Sequence, residues 1–302
     1  MNNFSTCLLF SGLAVISQYA VSESIEWPAY GGAKGGGHFT SATQIDKSNV
    51  AELEQVWSHR SGDFVAGFQS LTEEVTADSM RTRPTSFMVT PIMVDDTVFY
   101  CTPYNRVFAL DPASGEEKWV FQALAGDAFN MACNSFMAGG VDGPNCPSKP
   151  GPDFDFGASV IITQDKNGRD VLLAGQKSGD VWALDPDNKG AVIWNTVAAG
   201  GTPLGGVHWG MTLVGDQLFI VASDPDLPIA GWEYNARPGV VALDVTTGNI
   251  NWRHTATRGC EFTGDPADRN RKDDAWPDCP FAYGYSAAPT GLDNFVLAGS
   301  LK

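Results

Sequence analysis

The sequence lacks several features that would place it in familiar functional classes. After residue 22 it has no apolar run long enough to span a bilayer, so we expect no transmembrane segment. It has no Cys-x-x-Cys-His motif for a c-type haem and no Cys-x-x-Cys pair that suggests zinc. Basic residues are scarce, with 19 Lys and Arg against 35 Asp and Glu. The net charge of −16 repels phosphate backbones, so nucleic acid is not an expected partner.

Residues 1–22 predict a signal peptide. The run Leu8–Ile16 is apolar but too short to cross a membrane, and Ala20-Val21-Ser22 offers small residues for cleavage. The segment before the run contains no Lys or Arg, which departs from the usual pattern. We therefore expect a mature chain of residues 23–302 that is periplasmic or secreted.

The cysteines fit an exported protein. Cys133 and Cys146 flank one short loop rich in Gly, Pro and Asp, and Cys260 and Cys279 flank another. In an oxidising compartment such close pairs predict two disulfides. Cys101 lies in an apolar strand pattern and is predicted to be a buried free thiol.

Glycine and tryptophan are abundant, at 33 and 9 residues, and they take part in an internal repeat. The pattern Ala-Leu-Asp-x-x-x-Gly-x-x-x-Trp occurs at 109–119, at 183–194 with one extra residue, and at 242–252. Ala and Leu end one strand, and Asp and Gly build a tight turn. The Trp opens the next strand, where its ring can dock flat between neighbouring blades.

Each copy of the repeat follows a strand-turn-strand pattern, at 91–100, 160–174 and 211–221. Together these units predict an all-β propeller with three four-stranded blades that end near Trp119, Trp194 and Trp252. A partial blade at 287–302 stops before its own Trp repeat. Three and a half blades leave sheet edges exposed, so we expect an incomplete ring, either a fragment of a longer protein or a chain that needs a partner.

Several stretches resemble the dehydrogenases that depend on pyrroloquinoline quinone (PQQ). The segments Trp27-Pro-Ala-Tyr-Gly31, Ser61-Gly-Asp63 and 89–111 are similar to the membrane glucose dehydrogenase branch. From about residue 126, the segments 127–130, 151–157 and 205–211 resemble the polyvinyl-alcohol dehydrogenase branch. The family usually has further blades between these two parts, and those blades hold much of its usual PQQ and calcium site.

The resemblance implies a PQQ and calcium site with three main residues. Asp153 matches the family's catalytic base, which accepts the proton of the substrate hydroxyl. Asp155 is the alternative base and a candidate metal ligand. Lys177 matches the cation that hydrogen-bonds the quinone oxygens. The alternatives are that both carboxylates cap a turn and that Lys177 is a solvated residue of a hairpin turn.

Two further residues have weaker roles implied by the resemblance. Trp209 lies between glycines, where its ring could lie against a planar cofactor or pack between blades. His208 beside it is more often structural. Asp224 ends a strand and is either a calcium ligand or a turn residue.

The sequence also departs from the family pattern. Met88 stands where the family commonly has a Glu that contacts the cofactor. The cofactor-binding Arg that usually follows the first Trp repeat has no clear counterpart, and Asn134 is one possible replacement.

Two functions follow from these observations. The first is a PQQ-dependent oxidoreductase that oxidises a hydroxyl of an alcohol, a polymeric alcohol or a sugar and passes electrons to a separate cytochrome c or quinone. The second is a non-catalytic or degenerate propeller that serves as a protein-binding scaffold. Asp153 and Lys177 favour the first function, and Met88 and the missing blades favour the second.

Overall fold

The computed structural model describes residues 25–32, 37–63, 87, 89–133, 140–224, 237–256 and 284–300. Their regular secondary structure is β-strand, apart from one turn of 3-10 helix at Val50–Glu52, and loops and turns make up the rest. Within these ranges no helix has the length and apolar character needed to cross a membrane. The predicted signal peptide, Met88, Asn134, Cys260 and Cys279 lie outside the described residues.

Three four-stranded antiparallel sheets follow one another along the chain, each with its strands in sequence order. Blade 1 comprises β1 Ile92–Val94, β2 Thr97–Cys101, β3 Arg106–Leu110 and β4 Glu117–Gln122. Blade 2 comprises β5 Ile161–Gln164, β6 Asp170–Gly175, β7 Asp180–Asp185 and β8 Ala191–Val197. Blade 3 comprises β9 Met211–Val214, β10 Gln217–Ala222, β11 Gly239–Asp244 and β12 Ile250–Thr255. A two-stranded sheet of β13 Thr290–Gly291 and β14 Val296–Leu297 follows, as the predicted partial blade requires.

The inner strands of blade 2 are apolar on both faces because blade 1 covers one side and blade 3 the other. In β6, Leu172 and Ala174 pack in a core shared with blade 1. Val171 and Leu173, which alternate with them, pack in a second core shared with blade 3. Successive side chains of a strand point to opposite faces, so one short strand joins two hydrophobic cores. The outermost strands β4, β8 and β12 are largely exposed.

The Trp of one blade docks on the Asp-to-Gly turn of the next, which confirms the predicted role of the repeat. The indole N–H of Trp119 donates to the carbonyl of Pro186 at 3.1 Å, and its ring lies against Gly190. The indole N–H of Trp194 donates to the carbonyl of Val245 at 2.9 Å. The same carbonyl position, one residue after the turn Asp, is used in both cases.

Trp57 repeats this contact ahead of blade 1. Its indole N–H donates to the carbonyl of Pro112 at 2.8 Å, and its ring lies against Gly115. The segment around Trp57 therefore occupies the place of a preceding blade's outer strand, a role that sequence reasoning missed because no Ala-Leu-Asp precedes it.

The sheets do not close into a ring in the part of the chain that the structure describes. Trp252, the Trp of the third repeat, is 45% exposed, whereas Trp194 is 9% exposed. Over the described residues, the architecture is thus the incomplete ring predicted from the repeat count.

Candidate functional site

The candidate residues meet at the turn between the second and third strands of blade 2. Lys177 lies in the tight turn that joins β6 to β7, and Asp153 and Asp155 lie in the loop that leads into β5. The backbone N–H of Lys177 donates to the carbonyl of Asp155 at 3.0 Å. This bond ties the loop to the turn and brings the three side chains together.

Lys177 forms ion pairs with both carboxylates. Its Nζ atom is 2.6 Å from Oδ1 of Asp155 and 3.3 Å from Oδ1 of Asp153. Both contacts lie within ion-pair distance, and the contact with Asp155 is the shorter. Lys177 is only 4% exposed, so it is not the solvated turn residue of the alternative interpretation.

Burial sets the proton affinities of this cluster. It raises the pKa of Asp153 to about 8, with the negative charges of Asp155 and Asp127 adding to the rise and Lys177 opposing it. Burial also raises the pKa of Asp155, again against the effect of Lys177. Burial lowers the pKa of Lys177, but the two carboxylates outweigh that effect and the net shift is upward. The cluster therefore holds a cation beside a carboxyl that exchanges its proton near neutral pH.

His208 and Trp209 flank the cluster. Their rings stack with centroids 4.3 Å apart and planes inclined by 23°. His208 is buried, its Nδ1 atom has no hydrogen-bond partner, and burial together with the Lys177 charge lowers its pKa to about 4. Gly157 packs so closely on the imidazole that a Cβ atom there would overlap it. His208 is therefore neutral at pH 7, and an orphaned buried nitrogen marks this edge of the site.

Trp209 is 39% exposed, far more than the docking residue Trp194 at 9%. Its indole N–H is directed at Oγ of Ser223, 3.4 Å away. Thus one part of the indole is fixed in the protein while a substantial part of the ring remains accessible to a planar ligand.

Asp224 lies apart from the ion cluster and has a different environment. Its Oδ2 atom accepts the backbone N–H groups of Gly200 at 2.6 Å and Arg237 at 3.0 Å. Its Oδ1 atom accepts those of Gly206 at 2.6 Å and Gly201 at 3.3 Å. A cation would compete with four N–H donors for these two oxygens, so the geometry favours a loop-binding role over the predicted calcium ligation.

One of the two predicted disulfides can be followed in the structure. Cys133 and Cys146 are bonded, which confirms that prediction, and Cys101 is a buried free thiol as expected. The bonded pair links segments 127–133 and 143–154, and the second of these carries Asp153. Asp127, which sequence reasoning did not single out, hydrogen-bonds to the backbone of Asp153 from the first segment.

The site offers several groups that could contact a planar cofactor. Lys177 supplies a buried cation, His208 an unpartnered nitrogen and Trp209 an accessible aromatic face. Asp155 and Asp153 are already paired with Lys177. Among the described residues, no group of three His, Cys, Asp or Glu side chains is arranged to hold a metal.

Comparison with known proteins finds similar chains. The family model for PQQ, described as the β-propeller domain of glucose/ethanol/alcohol dehydrogenase, matches residues 27–143. A polyvinylalcohol dehydrogenase of Sphingopyxis sp. (strain 113P3) is 34% identical over 202 residues, 66% of this chain and 28% of that protein. The quinoprotein glucose dehydrogenase of Escherichia coli (strain K12) is 40% identical over 94 residues, 31% of this chain and 10% of that protein.

The fold has solved counterparts as well. The quinohemoprotein alcohol dehydrogenase from Comamonas testosteroni aligns with 91% of this chain and 35% of its own length, with a TM-score of 0.59 and 16% sequence identity. The chain thus spans about a third or less of these relatives. The matched segments bear out the resemblance stated from the sequence: residues 27–143 match the β-propeller domain of the PQQ family, and a longer part of the chain is similar to a polyvinylalcohol dehydrogenase.

Proposed function

We propose that this chain carries part of the active site of a PQQ-dependent oxidoreductase that oxidises an alcohol hydroxyl. The observation that carries the proposal is the burial of Lys177 between Asp153 and Asp155. A buried lysine with two carboxylates is costly to a protein unless its charge is used. The segments around these residues resemble a quinone-binding family, in which a buried cation would bind the cofactor.

Asp153 is the proposed general base. A carboxyl with a pKa of about 8 has strong proton affinity for its type, which favours removal of a hydroxyl proton when the group is ionised. Its contact with Lys177 keeps a fraction of it ionised near neutral pH. Asp155 is the alternative base, but its shorter ion pair with Lys177 makes its oxygen less accessible to a substrate.

Lys177 and Trp209 are the proposed cofactor-binding residues. Lys177 would pair with the oxygens of the quinone, and its positive charge stabilises the negative charge that these oxygens gain on reduction. Trp209 would lie against the plane of the ring system with its accessible face. PQQ, when bound, supplies the electron sink that accepts hydride from the alcohol carbon.

The polyvinyl-alcohol relatives favour a secondary alcohol, small or polymeric, as the substrate, and a sugar hydroxyl is the second choice. In this proposal the electrons pass to a separate cytochrome c or quinone, in the periplasm or outside the cell. Calcium ligands, if the reaction uses that ion, are not formed by the described residues alone.

The test is reconstitution of the purified chain with PQQ, with and without calcium, followed by dye reduction with secondary alcohols. We expect PQQ-dependent dye reduction that Asp153→Asn lowers by at least about a hundredfold. Asp165→Asn is the matched control, because Asp165 is a buried turn carboxylate of the same blade outside the ion cluster. Absence of PQQ binding by the wild-type chain would overturn the proposal and favour the scaffold function.

A further inference from the structure

Asp153 has an unusual backbone conformation. Its φ angle is +62°, in the left-handed region that residues other than Gly rarely adopt. Such a conformation persists only where the surrounding structure holds it. The contacts that hold it explain how its carboxyl comes to face Lys177.

Asp127 supplies these contacts. Its Oδ1 atom accepts the backbone N–H of Asp153 at 3.2 Å, and its Oδ2 atom accepts that of Phe154 at 2.6 Å. Asp127 is only 3% exposed, and Gly151 packs against it so tightly that a Cβ atom there would lie 2.5 Å from Oδ1. The carboxylate is thus held on the backbone of the loop and has little room to move.

A buried relay of side chains fixes Asp127 from the other side. The Nδ2 group of Asn105 donates to Oδ2 of Asp127 at 3.3 Å. Oδ1 of Asn105 accepts from Nε2 of Gln176, and Oε1 of Gln176 accepts the indole N–H of Trp182 at 3.0 Å. Asn105 and Gln176 are both buried, and they belong to corresponding turns of blades 1 and 2.

The relay has a single direction of donation. An indole N–H only donates, so Gln176 must present its oxygen to Trp182 and its NH₂ group to Asn105. Asn105 must then present its own NH₂ group to Asp127. Because Asp127 receives donors from three directions, the site is built for its ionised form, even though burial raises the pKa of Asp127.

We propose that Asp127 is a positioning residue that, with Asn105, Gln176 and Trp182, holds the loop at Asp153 so that the Asp153 carboxyl faces Lys177. Asp127 acts through its hydrogen bonds to the backbone of Asp153 and Phe154. The proposal deepens the proposed function, since it rests on Asp153 as the base. It also gives the buried Gln176, next to Lys177 in the same turn, a role in joining two blades at the site.

The test is nuclear magnetic resonance of the chain without cofactor, so that its outcome does not depend on whether PQQ binds. In Asp127→Asn the side-chain NH₂ group faces backbone donors, so amide exchange of Asp153 and Phe154 should rise at least about tenfold. The ¹⁵Nζ signal of the Lys177 ammonium should shift, because its contact with Asp153 is lost. Asp165→Asn is the control that loses a buried turn carboxylate elsewhere and should leave both signals unchanged.

If Asp127→Asn does not fold, Asn105→Gly is the variant that tests the proposal. Gly tolerates the left-handed φ of +61° at this position while the relay to Asp127 is cut. We expect the same signals to change by a smaller amount.

With PQQ bound, both variants should lower kcat for the alcohol with little change in KM or in PQQ affinity. Unchanged Asp153 and Phe154 exchange and an unchanged Lys177 signal in the folded variant would overturn the positioning role, whereas failure of wild-type PQQ binding would overturn only the proposed function.

Discussion

The indole N–H of Trp194 in β8 donates to the carbonyl of Val245 in the following blade, at 2.9 Å, while Cδ2 and Cε3 of its ring lie against Gly248. Gly248 has a φ of +72°, and a Cβ atom there would lie 2.6 Å from the ring. The repeat therefore needs Gly for two reasons: the turn requires a left-handed residue, and the ring requires a surface without a side chain.

The effect of the ring contact can be measured apart from the effect of the positive φ. The comparison is between the stability losses of Gly248→Ala and Gly215→Ala. Both positions have positive φ, but nothing lies within 4 Å of a Cβ atom at Gly215. We expect Gly215→Ala to cost about 1–2 kcal/mol of unfolding free energy, and Gly248→Ala to cost about 1–3 kcal/mol more because the ring must move. Urea denaturation measures both, and equal losses would show that the ring contact does not matter.

The disulfide offers a second test of stability. Cys133 and Cys146 are 13 residues apart, and a bridge over a loop of this size stabilises a fold by about 3 kcal/mol. The double variant Cys133→Ser, Cys146→Ser should lose about this amount under oxidising conditions. Under reducing conditions it should match the wild-type chain, and a difference that survives reduction would contradict the assignment.

The blades were predictable from the sequence because their signals are local. Asp111 caps its turn with bonds to the N–H groups of Ala113 and Ser114, and all of these residues lie within one hairpin. The docking of Trp119 on the next blade also follows from the repeat, since the same turn recurs there. Trp57 was missed because it contacts a turn 55 residues away without its own Ala-Leu-Asp segment.

The site was only partly predictable. Asp153 and Lys177 came from the family resemblance, and no local pattern says that a loop residue and a turn residue 24 positions apart form an ion pair. Asp127 lies in an irregular segment, and its bonds to the following loop exist only in the folded chain. For Asp224 the sequence leaves calcium ligation and a turn role open, because it does not show the four backbone N–H groups that surround its carboxylate.

The proton affinity of Asp153 predicts how stability depends on pH. Its pKa is about 8 in the folded chain, against 3.8 for an ordinary Asp, so the folded state binds the proton more tightly than the unfolded state does. The stabilisation is complete below pH 4 and is lost as the pH rises through 8. The Asn side chain of Asp153→Asn has no titratable proton. The unfolding free energy of this variant should therefore rise relative to that of the wild type between pH 4 and 8. Urea titrations at a series of pH values test this, and a constant difference would refute it.

The pKa of His208 predicts that stability depends on pH with the opposite sign. Its pKa of about 4 in the folded chain lies below the ordinary 6.5, so stability is complete above pH 6.5 and decreases as the pH falls to 4. The loss corresponds to about 3 kcal/mol, and His208→Gln should remove it. The imidazole resonance of His208 should titrate near pH 4, and a midpoint near 6.5 would mean that the ring is not buried as described.

The most direct test of the proposed site is the affinity of the chain for PQQ when Lys177 is replaced. Quenching of tryptophan fluorescence by PQQ, measured at pH 7 without calcium, should give saturable binding to the wild-type chain. Lys177→Met should weaken that binding by about ten- to a hundredfold, because a buried charged hydrogen bond to the cofactor is lost. Lys166→Met, which removes an exposed lysine paired with Asp216 and Asp244, should bind like the wild type. Equal affinity of all three proteins for PQQ, or no binding by the wild type, would contradict the account.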